Sequence, residues 1–265
     1  MFTSNTLYRM SQETLLNSIK NEIIDIYQMG SGYAVENFLN PVNYNGIKID
    51  TNCGAIRTKN KARFFTYYFR NEHSIREKTL IDKYLPVDYS VIEFGGGIGY
   101  ISAYINNKLS EGEIQVVVEP NPENVNCNKT TRSLNGCDYF LLEGAYSPHG
   151  EDVELSLDSK FSSGSTEKKM SSKKVSVQGV SISRICSEYE LEEFVLISDM
   201  EGGEFRMIDE EIGVISESVP FAIIEFHPFE GFSEKEYVDK ILSAGFVELD
   251  EVGGTHAFKN EKLLD

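Results

Sequence analysis

A chain of 265 residues, 40% hydrophobic and 25% charged, has enough apolar side chain to bury the core of one large domain, with or without an extension. Its formal net charge of -17 repels a duplex or an anionic membrane, which makes polymeric nucleic acid a poor partner. No apolar run approaches the roughly 20 residues a membrane-spanning helix needs, and the opening residues lack the basic-then-apolar pattern of a secretory signal.

In chain order, residues 11–29 are predicted to form an amphipathic helix. Leu15, Leu16, Ile19, Ile23, Ile26 and Tyr27 recur at helical spacing, Ser11 caps the start, and Gly30 and Gly32 stop it. It reads as a packing helix, with a lid or a dimer arm as the alternatives. Residues 47–70 read as extended: IKID, a turn at Asn52–Gly54, then the aromatic run FFTYYFR. Residues 1–70 are therefore assigned to an N-terminal extension and 71–265 to the main domain.

From residue 73 helices and strands alternate. SIREKTLIDKYL is a helix that ends before Pro86, YSVIEF a strand, and YISAYINNKL a helix. IQVVVE is the next strand. A helix follows with Asn121 as cap, Pro122 at its first position and Gly136 closing it. DYFLL, EFVLIS and FAIIEF are short strands apolar on both faces, as buried parallel strands are, and a helix around Glu204–Ile212 separates the last two. Ser233 and Glu236 form a capping box on a helix over 233–243, and GFVELDEVGGTHAFK makes two strands around Gly253–Gly254. This order predicts a doubly wound, mostly parallel α/β sheet with an antiparallel edge. Residues 158–174, DSKFSSGSTEKKMSSKK, break the pattern between two strand-like stretches. They are predicted to be a long loop on a hairpin, either passive or a lid over a site.

The chemistry gathers at VIEFGGGIGY, residues 91–100. A dinucleotide binder asks for G-x-G-x-x-G so that the backbone can approach a pyrophosphate. Gly95 and Gly97 fit, but Tyr100 stands at the third position, and Glu93 would repel a phosphate. The pattern present is acid-x-G-x-G-x-G: Glu93, Gly95, Gly97, Gly99. It suits a ligand with a cationic amine and no phosphate, and S-adenosyl-L-methionine is such a ligand. The ribose of a bound nucleoside calls for an acid at the end of the second strand. VVVEPN supplies Glu119, followed by Pro120 and Asn121.

These stretches resemble the FkbM type of class I S-adenosylmethionine-dependent methyltransferases, over about residues 72–260. VIEFGGGIGYIS and VVVEPNPENV stand at the first two motifs, EGAYSP at the segment near the adenine, LISDMEGGEF at the D-x-E-G-x-E stretch and IIEFHP at the fifth-strand ending. The last two carry Asp199, Glu201, Gly202 and Glu204, and Glu225 and His227. Gly95-Gly96-Gly97 replaces the family's usual Gly-Ala-Asn, and the N-terminal 60 residues match nothing in it. The resemblance implies a seven-stranded Rossmann-like sheet and S-adenosyl-L-methionine as cofactor. It implies cofactor contacts from Glu93, Phe94, Gly95, Gly96, Gly97, Gly99, Tyr100, Glu119, Pro120, Asn121, Gly144, Ala145 and Asp199. It also implies an acid upstream of the first strand, Glu72 or Glu77.

The reaction so implied is O-methylation of a hydroxyl on a small molecule, such as a sugar or a natural product. An alcohol is a weak nucleophile, so a base accepts its proton. Asp199 is the first candidate, Glu201 the second and His227 the third. Against these roles, either acid could cap the following helix, and the histidine could be a satisfied wall residue. A divalent metal on Asp199 and Glu201 lacks a visible third ligand, so none is predicted. A nicotinamide-dependent oxidoreductase, disfavoured by Glu93 and Tyr100, and a non-catalytic cofactor-binding module are the competing readings. Cys53, Cys127, Cys137 and Cys186 form no CxxC pair, so free thiols in a cytoplasmic chain are expected, without a zinc site.

Overall fold

The computed structural model describes residues 40–57, 74–157, 164–165, 174–228 and 231–264. The expected helix at 11–29, the aromatic run 64–70, Glu72 and most of the loop 158–174 lie outside these residues. The first described element is a hairpin of β1 (Val42–Tyr44) and β2 (Ile47–Ile49). Strand alternation puts Val42, Tyr44, Ile47 and Ile49 on one buried face. That face and the short helix α1 (Gly54–Arg57) pack on α3 (Tyr100–Asn106) and α4 (Pro122–Asn135).

Two expectations are corrected here. The extended reading of 47–70 holds at β2 but not at α1, where the chain turns to meet α4. Cys53 and Cys127 form a disulfide, so these two are not free thiols. They are 74 residues apart and meet because the hairpin folds back over α4, an adjacency that cysteine spacing does not reveal. Cys137 and Cys186 are free.

The remaining strands are β3 (Val91–Phe94), β4 (Gln115–Glu119), β5 (Phe140–Tyr146), β6 (Val153–Leu157), β7 (Gly164–Ser165), β8 (Lys174–Val180), β9 (Val195–Ser198), β10 (Phe221–Glu225), β11 (Phe246–Val252) and β12 (Thr255–Asn260). They form one sheet in the order β11-β12-β10-β9-β3-β4-β5-β8-β6-β7. The block from β10 to β8 is parallel, and the strands outside it on both edges are antiparallel. The doubly wound, mostly parallel expectation is met, but the count of seven is corrected to ten. The run from β11 to β5 supplies seven strands. The hairpin adds the others because β8 pairs with β5 at Gly144–Tyr146 and covers an edge that would otherwise be open.

Helices α2 (Ile75–Tyr84), α5 (Ile182–Tyr189), α6 (Glu204–Ser218), α7 (Glu234–Ser243) and α8 (Glu261–Leu264) complete the described elements. β3, β4 and β9 are buried along their whole length, as strands covered on both faces must be. Phe205 and Ile208 of α6 belong to the core on one face, and Leu80 and Ile81 of α2 to that on the other. Asn121 caps α4 by accepting from Glu123 N at 3.0 Å, as its sequence predicts. Ser233 heads α7 without a side-chain cap bond, so the expected capping box is not formed. Glu234 beside it pairs instead with His256, Nε2 to Oε1 3.1 Å. Among the described residues no helix is long and apolar enough to cross a membrane.

Candidate active site

β4 and β5 continue the sheet on one side of β3, and β9 and β10 on the other. The crevice outside the carboxyl ends of strands at such a switch point is where open α/β sheets bind ligands. A cavity of about 350 Å³ lies there.

The loop after β3 forms its floor. Gly95 has φ 96°, and a Cβ on it would stand 1.8 Å from the Asp199 carbonyl oxygen, so the loop passes against the end of β9 only with no side chain there. Gly97 has φ 50°, and among the described residues a Cβ on it would approach only Gly95 O, at 4.0 Å. Gly95 N and Gly96 N donate to Val118 O at 2.9 and 3.2 Å. Asn128 of α4, fully buried, donates Nδ2 to Gly96 O at 3.0 Å and accepts from Tyr139 Oη at 2.6 Å. Nothing in the sequence singles out Asn128, which lies mid-helix.

Glu93 is 2% exposed and accepts from Ser102 Oγ at 2.8 Å and Gln115 Nε2 at 3.0 Å. It thus ties the strand end to α3 and β4 beneath the loop. Burial pushes its carboxyl up to about 7, against these two hydrogen bonds. A carboxyl raised in the folded state binds its proton more readily folded than unfolded. Its contribution to stability is therefore fullest below the ordinary value of 4.5 and falls as pH rises towards 7. Glu93→Gln is expected to flatten this part of the pH profile. Equal slopes of melting temperature against pH between 4.5 and 7, in the wild type and the variant, would contradict it.

Glu119 is buried at the end of β4. Its Oε2 accepts from Gly97 N at 2.7 Å, and its Oε1 from Asn121 N at 2.8 Å and Asn124 Nδ2 at 3.2 Å. Burial raises its carboxyl, and these donors oppose the rise. A carboxylate has about four acceptor positions, so one remains for a ligand hydroxyl. Pro120, Gly144 and Ala145 line the same side of the cavity. Phe94 is buried edge-on to Tyr146, with ring centroids 5.6 Å apart. The Tyr100 ring is buried 4.8 Å from that of Tyr44, and its hydroxyl accepts from Asn45 Nδ2 at 3.1 Å, so its polar end is engaged with the N-terminal hairpin.

The far wall is acidic. Asp199 follows β9, its N–H donating to Phe94 O at 2.9 Å. His227 follows β10, with Nε2 3.7 Å from Asp199 Oδ1 and 3.8 Å from Glu225 Oε1. His227 Nδ1 stands 3.5 Å from Oε1 of Glu204, whose fully buried carboxylate also accepts from Met200 N and Gly202 N. Glu77 of α2 joins this wall, and Arg76 reaches Glu225 Oε1 at 3.4 Å. Glu201 lines the cavity from the turn after β9, where its φ is 55°. Burial and then Glu225 push the Glu77 carboxyl up to about 7. Burial, Glu77 and Glu225 push Asp199 well above the usual carboxylate range. Burial would lower His227, but Glu204 and Asp199 outweigh it and hold the imidazole at about 9. Of the three catalytic candidates, Asp199 and His227 meet. Glu225 and Glu77 belong with them, although the sequence marked the first only as a strand ending and left the second undecided against Glu72.

A mostly parallel sheet with a glycine loop after one strand and a buried acid ending the next is common to dinucleotide-binding folds and to the Rossmann-like class I S-adenosylmethionine-dependent methyltransferases. The sequence matches the methyltransferase FkbM domain over residues 94–248, more than half of the chain, and the protein belongs to that family. S-adenosyl-L-methionine is its cofactor. A search of curated proteins finds no match. Among solved structures, the Methanococcus jannaschii fibrillarin pre-rRNA processing protein is 10% identical, with a TM-score of 0.41 over 65% of each chain, just under two thirds of its length. Precorrin-6y C5,15-methyltransferase from Geobacter metallireducens is 11% identical, with a TM-score of 0.43 over 71% of this chain and 87% of that one. Aeropyrum pernix fibrillarin with bound S-adenosyl-L-methionine is 13% identical, with a TM-score of 0.39 over 66% and 67%.

Proposed function

We propose that the protein transfers the methyl group of S-adenosyl-L-methionine to a hydroxyl oxygen of a small acceptor, a sugar or another natural product. Residues 71–265 form the transferase unit and 1–70 an extension to it. The observation that carries this reading is the position of Asp199. It lies where the glycine loop meets the acidic wall, with Oδ1 buried towards His227 while the side chain as a whole keeps 37% of its surface exposed. In this reading Gly95–Gly99 pass beneath the methionine portion, Glu119 takes a ribose hydroxyl, and Gly144 and Ala145 border the adenine.

The acceptor oxygen attacks the sulfonium methyl in line. The O–C bond forms as the C–S bond breaks, sulfur keeps the electron pair, and the hydroxyl proton passes to Asp199. Charge disperses in this step, so much of the acceleration comes from alignment in a site that excludes water. A cation at His227 Nε2, 3.7 Å from Asp199 Oδ1, favours an ionised Asp199. A net charge of -17 supports a small-molecule acceptor over nucleic acid.

The test is methyl transfer from labelled cofactor into a panel of polyols and sugars, with Asp199→Asn beside the wild type. The variant is expected to lose at least ~100-fold in turnover while binding S-adenosylhomocysteine within about threefold of wild type. Turnover within threefold of wild type would remove Asp199 from the chemistry. Transfer to amines or thiols but never to hydroxyls would overturn O-methylation.

A further inference from the structure

We infer that Asp199, Glu225 and His227 bind a divalent metal ion that takes the acceptor oxygen as a further ligand. The inference rests on the proposed methyl transfer only for what the ion does, not for whether it binds. One ligand atom from each residue lies within 4.8 Å of the others, and all three side chains are half-buried on the cavity wall. Neighbouring ligands of an ion bound at about 2.1 Å sit about 3 Å apart. The distances of 3.7 and 3.8 Å from His227 Nε2 to the two carboxylates are slightly wider, a gap that small side-chain rotations close.

A separate observation points to a ligand. Among the described residues Asp199 Oδ1 is buried without a hydrogen-bond partner, on the side that faces His227 Nε2. A buried carboxylate oxygen left unpaired is costly, and a cation in front of it relieves the cost. The imidazole is set for the same task. Its Nδ1 is buried 3.5 Å from the fully buried Glu204 carboxylate, short of a hydrogen bond, and closing that gap gives the arrangement by which a carboxylate orients a metal-bound histidine and leaves Nε2 for the ion. Arg76 is the cation already at this wall. It touches Glu225 from the outside, is half exposed, and hydrogen-bonds Gly253 O at 2.6 Å. Among the described residues it leaves Asp199 without a cationic partner other than the histidine.

Two carboxylates and one imidazole suit a borderline ion such as Mn²⁺, Fe²⁺ or Zn²⁺. Three protein ligands leave positions open towards the cavity, as catalytic metal sites do. An acceptor hydroxyl bound there becomes more acidic. Oδ1 of Asp199 serves the ion, and the exposed remainder of the carboxylate faces the acceptor's proton. Sequence spacing suggested Glu201 as the partner of Asp199. The fold instead brings Glu225 from the neighbouring strand, since β9 and β10 pair in parallel and end together.

The experiment is titration of the chelator-treated full-length protein with MnCl₂, read by calorimetry and by loss of the free Mn²⁺ paramagnetic resonance signal. S-adenosylhomocysteine binding is measured alongside, in the presence of chelator. One Mn²⁺ per chain is expected, with affinity lowered at least tenfold in Glu225→Gln and in His227→Gln. No Mn²⁺ uptake with intact S-adenosylhomocysteine binding overturns the metal site and leaves the cofactor reading standing. Uptake equal in the wild type and both folded variants, checked by circular dichroism, assigns the ion to acidic surface and also overturns it. Mn²⁺ uptake lost in both variants, with no S-adenosylhomocysteine binding even in the wild type, upholds the metal site and overturns the cofactor reading.

Discussion

Gly97→Val is expected to abolish S-adenosylhomocysteine binding, by more than ~100-fold, in a protein that still folds. Two consequences of the substitution separate cleanly at this position. A β-branched residue at φ 50° is strained by roughly 1–2 kcal/mol, which a domain of this size tolerates. Among the described residues no atom except Gly95 O stands within 4 Å of the added Cβ, so the core is not asked to move. What the valine does fill is the cavity beside Glu119, where the ligand lies in the proposed mode. Gly95→Val is the contrasting variant. Its Cβ would overlap the Asp199 carbonyl, so loss of binding there would come with loss of the native fold. Circular dichroism and calorimetry on both variants check the argument. A native Gly97→Val that binds within threefold of wild type would show that the loop does not carry the ligand.

The sheet was largely legible because its parallel strands are short and apolar on both faces, and because glycine, proline and Asn121 mark the turns between them. VIEF, QVVVE, VLIS and FAIIE are each read correctly to within a residue or two. What escaped depends on contacts distant in sequence. The hairpin is visible as two strand-like stretches, but nothing local says that β8 pairs with β5 and carries the sheet to ten strands. Helix α5 is short and follows its strand after Ser181 alone, and its eight residues carry no assignment in the sequence reading. The Cys53–Cys127 pair joins elements whose adjacency exists only in the fold.

The site divides in the same way. Glu93 and Glu119 could be read because each stands at or one residue before a strand end, just ahead of a glycine or a proline, a strictly local signal. The members of the acidic wall could be named singly, but not their meeting. They come from α2, β10 and the segments after β9 and β10, and only the fold brings them together. Glu204 was legible as part of a family pattern, but its work, turning inward to hold two N–H groups and face His227, needs the turn at Glu201 and Gly202 to be seen.

Glu119→Ala is expected to weaken S-adenosylhomocysteine binding by ~1–3 kcal/mol, about 5- to 150-fold, the cost of leaving a ligand hydroxyl without a charged acceptor. The same substitution orphans Gly97 N, Asn121 N and Asn124 Nδ2, so a loss of affinity alone does not say whether the acid holds the ribose or only the loop. A ligand that lacks the ribose hydroxyls separates the two. If Glu119 accepts from those hydroxyls, the wild type should prefer S-adenosylhomocysteine over its 2′,3′-dideoxy analogue, and Glu119→Ala should lose most of that preference. This is the coupling that a double-mutant cycle isolates, with the ligand supplying one of the changes. If the acid only braces the loop, both ligands should weaken by the same factor and the preference should survive. Calorimetry of two proteins with two ligands decides it, and a preference unchanged in Glu119→Ala would return this carboxylate to a purely structural role.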